Sequence, residues 1–158
     1  SMKIVLAAVG KTTAQYLRTG IDMYLDRLKH YIPVQICIIP DIKTTKTISE
    51  SVQKEREGTA LLQMLQPGDK LILLDERGKR LTSRQFSESI EKHMTSGCKR
   101  VVYAVGGPYG FSNEVYARAD GKLSLSDMTF PHEMVRLFFV EQLYRAMTIM
   151  RNEPYHHD

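Results

Sequence analysis

The chain has 158 residues, 42% of them hydrophobic and 25% charged, and its 22 Lys and Arg against 18 Asp and Glu leave a net charge of +4. That mixture fits one soluble globular domain over residues 1–158, long enough to bury a core without a disulfide or metal staple. The basic excess permits a nucleic-acid partner without demanding one, and no apolar run reaches the ~18 residues of a membrane span, because Arg136 interrupts the richest stretch. With no basic-then-apolar leader either, a cytoplasmic protein is expected, and Ser1 ahead of Met2 reads as a vector-derived scar. Cys37 and Cys98 lie far apart, which excludes a secreted disulfide framework and leaves no zinc spacing.

Residues 3–9 form a near-continuous apolar run closed by Gly10, the pattern of a strand buried on both faces. Leu17, Ile21, Tyr24 and Leu28 then recur at helical spacing and predict an amphipathic helix over 13–30. Residues 34–39, bracketed by Pro33 and Pro40, predict a second strand. Residues 41–47, with no apolar stripe, read as a mobile loop before a helix over 49–65 that ends at Pro67-Gly68-Asp69. The run Lys54-Glu55-Arg56-Glu57 inside that helix reads as a solvated face.

A short strand over 71–74 runs into Asp75-Glu76-Arg77-Gly78, which reads as a solvent-facing turn. Thr82 and Gln85 have capping-box spacing, with Phe86, Ile90 and Met94 as the buried stripe of the helix they open. A fourth strand over 101–105 ends in Gly106-Gly107-Pro108-Tyr109-Gly110; a short helix over 112–119 and a strand over 122–125 follow. Pro131 suits the first turn of a last helix running to about residue 150. Strand and helix alternate five times, which predicts an α/β fold with a parallel sheet and helices on both faces.

Gly10-Lys11-Thr12 invites a phosphate-loop reading, but Val5 stands where that motif needs its first glycine. The glycine segment 106–110 lies at the carboxyl end of a central strand, where open α/β sheets bind ligands; a tight turn would use the same residues. Asp75 and Glu76 share that edge, where one carboxylate could hold a ribose hydroxyl. Residues 125–130 mix apolar side chains with hydroxyls and could sandwich an adenine, or Asp127 or Thr129 could simply cap the next helix. His132, in its first turn, reads more readily as a surface or capping residue than as a catalyst. That helix is apolar around most of its circumference, which suggests a partner subunit covering one side, and Glu141 and Arg145 are spaced for an i,i+4 pair.

Leu-Asp-Glu-Arg-Gly (74–78), Gly-Gly-Pro-Tyr-Gly (106–110), Leu-Ser-Leu-Ser-Asp-Met-Thr-Phe-Pro-His (123–132), Glu-Gln-Leu-Tyr-Arg-Ala (141–146) and the tail Pro-Tyr-His (154–156) occur in that order. Together they resemble the ribosomal RNA large subunit methyltransferase H family, of the SPOUT class, from Met2 onward. The resemblance implies a C-terminal trefoil knot, a rare exception to unknotted chains. It implies a homodimer that uses S-adenosylmethionine (SAM) to methylate N3 of a pseudouridine in 23S rRNA on the assembled 70S ribosome. By position, the family's cofactor contacts fall on Leu74, Gly106, Leu125, Ser126, Asp127, Met128, Thr129 and Phe130. Transfer from a sulfonium needs no metal and no nucleophilic cysteine, so catalysis is expected to rest on positioning and electrostatics. Arg145, as a cation near a uridine-type anion, His156 as a base and Tyr155 as a stacking partner are the expected catalytic residues. A noncatalytic ribosome-binding protein, or an enzyme using another nucleotide in the same crevice, are the alternatives.

Overall fold

A computed structural model of the chain describes residues 1–41 and 48–155, so the 42–47 part of the expected loop, and His156, lie outside the described residues. The apolar runs become strands β1 (Lys3–Val9), β2 (Val34–Ile39), β3 (Lys70–Arg80), β4 (Arg100–Val105) and β5 (Gly121–Ser124). The stretches of helical periodicity become α1 (Gln15–Leu28), α2 (Glu50–Met64), α3 (Ser83–Thr95), α4 (Asn113–Arg118) and α5 (His132–Met150). The strands pair in the order β2-β1-β4-β3-β5, all parallel.

Side chains alternate along a strand, and here both faces are covered. Ile4, Leu6 and Ala8 of β1 join Val101, Tyr103 and Val105 of β4 beneath α1, α3 and α5. Val5, Ala7, Val9, Val102 and Ala104 face the other way, against Leu61 of α2 and Val115 of α4. On the first face Phe86, Tyr103 and Phe139 form an aromatic knot with centroids 4.8–6.0 Å apart. The capping box of α3 is formed: Gln85 N donates to Thr82 Oγ1 at 3.0 Å and Thr82 N donates to Gln85 Oε1 at 2.9 Å.

Helix α5 lies between α1 and α3, so much of its apolar circumference is buried inside its own chain. Phe139, Val140, Leu143 and Ala146 are fully inside, while Met134, Phe138, Ile149 and Met150 remain half-buried. Arg136, which the sequence suggests is an interruption of an apolar run, is 1% exposed. Its guanidinium donates to the Val9 carbonyl at 2.7 Å, the Gly10 carbonyl at 2.7 Å and Thr12 Oγ1 at 3.1 Å. A fork of donors thereby closes the carboxyl end of β1, where the ladder stops supplying N–H partners.

Strand β3 departs from expectation. It does not end in a turn after Leu74: both Leu74 and Lys79 register with Leu123 of β5, and residues 75–78 form an excursion between them. A Cβ on Gly78 would lie 2.6 Å from the Leu123 nitrogen and 2.7 Å from the Lys122 carbonyl carbon, backbone that cannot swing aside. Gly78→Ala is therefore expected to prise the end of β3 from β5 and to lower stability by about 2 kcal/mol, the range for overpacking. Urea titration of the two proteins checks it, and a difference below about 0.5 kcal/mol would contradict the close approach.

Candidate functional site

In a parallel sheet the carboxyl ends of the strands share one edge, and ligands bind in the crevice outside it. The ends of β3, β4 and β5 here enclose a crevice of about 530 Å³, within the usual range for a small-molecule site. Leu74, Gly106, Leu125, Ser126, Met128, Thr129 and Phe130 all line it, although they come from three separate stretches of chain. Asp127 does not. Its carboxylate points out to Arg80 at 2.5 Å, and both side chains are largely exposed.

The 125–130 segment caps nothing through its side chains, contrary to one expectation: α5 begins without a side-chain cap, on the Pro131 carbonyl. Thr129 Oγ1 instead donates to Glu76 Oε2 at 3.1 Å, tying this segment to the β3 excursion. The Ser126 hydroxyl accepts from the Met128 amide at 3.0 Å, an internal turn that holds the loop's shape.

Asp75 and Glu76 both line the crevice; the Asp75 side chain is largely buried, while Glu76 and Arg77 stay exposed as a solvent-facing stretch would be. The Asp75 side chain is 7% exposed. It accepts hydrogen bonds from the Tyr116 hydroxyl and, at 2.9 Å, from the Arg77 amide. Burial, the largest influence, works to raise this carboxyl, but the Tyr116 hydroxyl, the Arg77 amide and guanidinium, and Lys122 together outweigh it and hold it below the ordinary carboxylate range. A negative charge is thus fixed at the wall. Tyr116 also packs edge-on against Phe111 at 5.8 Å. Sequence reasoning missed Tyr116, since nothing in a six-residue capped helix marks one ring as a site residue. His132 also lines the crevice, and its Nδ1 is buried with no hydrogen-bond partner, which a surface position would not give.

Arg145 and Tyr155 come together, but elsewhere. Neither lines the crevice. The Arg145 guanidinium donates to Glu141 Oε2 at 2.7 Å and stacks 4.8 Å from the Tyr155 ring. The Tyr155 hydroxyl donates to the same Glu141 oxygen at 2.9 Å, and its ring meets Tyr144 edge-on at 4.8 Å. Burial first, then the Tyr24 hydroxyl and the Glu141 carboxylate, push the Tyr155 hydroxyl well above its usual range, so in this arrangement it is a neutral donor. The tail is anchored as far as it is described, with Glu153 accepting from the Tyr31 hydroxyl at 2.6 Å. Glu141 borders a second cavity of about 380 Å³ that shares residues 123–126 and Phe130 with the crevice.

An apolar wall of Leu74, Leu125 and Phe130 suits a flat base, and fixed carboxylates suit a cation beside it. Such a lining fits a ligand that carries a flat base and a positive charge. Among the described residues no cluster of three or more His, Cys, Asp or Glu could hold a metal, and no helix is long and apolar enough to cross a membrane.

Residues 2–156 match the family model described as a predicted SPOUT methyltransferase. The chain is 58% identical over 157 residues to the ribosomal RNA large subunit methyltransferase H of Parabacteroides distasonis, covering 99% of this chain and 100% of that protein. The protein of the same name from Flavobacterium johnsoniae is 58% identical over 156 residues, with 99% of each chain covered. That of Bacteroides thetaiotaomicron is 48% identical over 157 residues, 99% of this chain and 100% of its own.

Proposed function

Since the chain belongs to the SPOUT methyltransferases, and among them to the ribosomal RNA large subunit methyltransferase H family, we propose that it transfers a methyl group from SAM to N3 of a pseudouridine in 23S rRNA. The reading extends to the assembled 70S ribosome as substrate, to a cytoplasmic homodimer and to a trefoil knot in the C-terminal half. The observation that carries it is the crevice, in which family-matched residues from three strand ends meet around a cation-compatible, partly apolar space.

SAM supplies an electrophilic methyl carbon. What the chain supplies is placement: Leu74, Leu125 and Phe130 pack the adenine, Gly106 lets it approach the backbone, and Asp75 stays ionised beside the positive end. The target base must be unstacked to reach the crevice, and its N3–H must lose a proton before nitrogen can attack. Arg145 fits the role of stabilising the resulting anion, with Tyr155 stacking on the base and His156 accepting the proton. Arg145 and Tyr155 sit away from the crevice of their own chain, which supports their acting on the crevice of a second copy. The half-buried apolar side chains of α5 supply a surface for that copy.

Calorimetry with SAM tests the crevice directly. A Cβ on Gly106 would stand 3.4 Å from the Phe111 ring, an ordinary contact, so the fold accommodates a small side chain. Gly106→Val is expected to melt within a few degrees of the wild type and to lose SAM binding by about a hundredfold or more, equivalent to ~3 kcal/mol. Unchanged affinity would overturn the assignment. A wild-type protein that binds no SAM would favour a noncatalytic ribosome-binding role.

A further inference from the structure

Among the described residues, Asp69 and Glu57 are the acidic residues buried as a whole, and they are treated differently. Asp69, 5% exposed, is paired with Arg100 at 2.7 Å. Glu57, 4% exposed, is paired with no cation among the described residues: Oε2 accepts from the Gln53 amide at 3.1 Å, and Oε1 is buried with no hydrogen-bond partner. The unpartnered oxygen lies under the glycine segment that follows β4. A Cβ on Gly107 would stand 2.5 Å from it, and the next residue of α2, Gly58, is pressed as closely against Ser112 at the far end of the same segment. Helix α2 thus interlocks with the 106–112 stretch at both ends, and an unpaired carboxyl is one of the two teeth.

We propose that Glu57 is a positioning residue for the crevice, wedged beneath Gly107 so that its protonation state sets the shape of the 106–110 segment. The inference rests on reading the crevice as the SAM site. When neutral, the carboxyl is a packing group that fills the space below Gly107. When ionised, it is an unpaired charge in an apolar setting, which must turn towards water and take its support from the segment with it. Burial chiefly, and the like charge of Asp41, hold this carboxyl above its ordinary range, against the Gln53 amide. Lys54 borders the same space without pairing with it; among the described residues, the other ionisable groups on this side are Asp41 just after β2, Cys37 of β2 and Tyr116 of α4. A raised carboxyl contributes stability that is complete below its unfolded value and is lost as pH rises through the folded one.

Glu57→Gln keeps the shape and the Gln53 contact and cannot ionise. SAM affinity of both proteins would be measured by calorimetry from about pH 5 to about pH 9, and the amino group of SAM titrates equally in each. The ratio of wild-type to Glu57→Gln dissociation constants is expected to climb about tenfold across that range as the wild-type carboxyl ionises. A constant ratio overturns the proposal. Amide hydrogen exchange at residues 106–110, normalised to the 66–69 turn of the same molecule, gives a reading that needs neither SAM nor the variant. Relative exchange that rises with pH supports the proposal, and a flat profile refutes it. Should wild-type protein bind no SAM while this exchange rises, the crevice assignment fails and the control of the segment by Glu57 stands.

Discussion

Removing residues 154–158 is expected to leave a folded protein that binds SAM normally and methylates ribosomes at least about a hundredfold more slowly, the scale of losing a proton-transfer group. The structure gives two reasons to separate folding from activity. Tyr155 packs on the outer side of α5, against Tyr144 and Arg145, and touches no part of the crevice. Its removal forfeits two ring contacts and the hydrogen bond to Glu141, together worth about 2–3 kcal/mol. The chemistry should suffer far more, because Arg145 loses the ring stacked on its guanidinium and His156, the proposed proton acceptor, goes with the same cut. Single-turnover assays with SAM and ribosomes are the measurement. Mixing the truncated protein with Gly106→Val then separates cis from trans. If the tail serves a second copy, the mixture regains activity that neither parent has; if it serves its own chain, the mixture stays dead. Near-normal transfer by the truncated protein would leave the tail without a role and make Arg145 the next residue to replace.

Arg136→Met should be the most damaging single change to stability, a loss of about 3–5 kcal/mol, which for a chain of this size can abolish folding. Methionine replaces the bulk of the side chain but none of its donors. The Val9 and Gly10 carbonyls, each held at 2.7 Å by the guanidinium, would be left without that partner at the carboxyl end of β1. The neighbouring clasp, in which the Thr13 amide donates to Glu133 at 2.6 Å, would then be the remaining tie between the 10–14 segment and α5. Lysine should recover part of the loss, since its point charge can serve one carbonyl but not the fork. Equilibrium unfolding in urea measures the series; a loss under about 1 kcal/mol would show that β1 does not depend on this closure.

Much of this molecule is legible in its sequence, and the misreadings share a cause. Periodicity records a residue's own element, so β1, α1, α3 and the last helix lie where the patterns put them. It is silent about partners far along the chain. Asp75-Glu76-Arg77-Gly78 has the composition of a turn, and only β5, which lies more than 40 residues later, draws residues 79 and 80 back into the sheet. Arg136 and Glu57 are charges, and composition assigns charges to water; of the run 54–57 only Glu57 is buried, turned inward on its helix. The apolar girth of α5 suggested a partner, yet α1, α3 and the sheet already cover much of it. The crevice could be anticipated because parallel sheets place their ligands at one edge, whereas the grouping of Arg145 with Tyr155 outside it could not.

The closure of β1 by Arg136 also bears on how the protein is made. Strand β1 leaves the ribosome before the strands it pairs with; its second sheet neighbour begins at Arg100 and the donor for its last carbonyls is 127 residues behind Val9. At ordinary rates of synthesis that interval lasts on the order of ten seconds. For that time the nascent chain holds an apolar strand with one edge open, the kind of template that recruits other strands. Mutations that slow translation ahead of α5 should therefore lower the yield of soluble protein while leaving its final stability untouched, a vulnerability set by the order in which the sheet is filled.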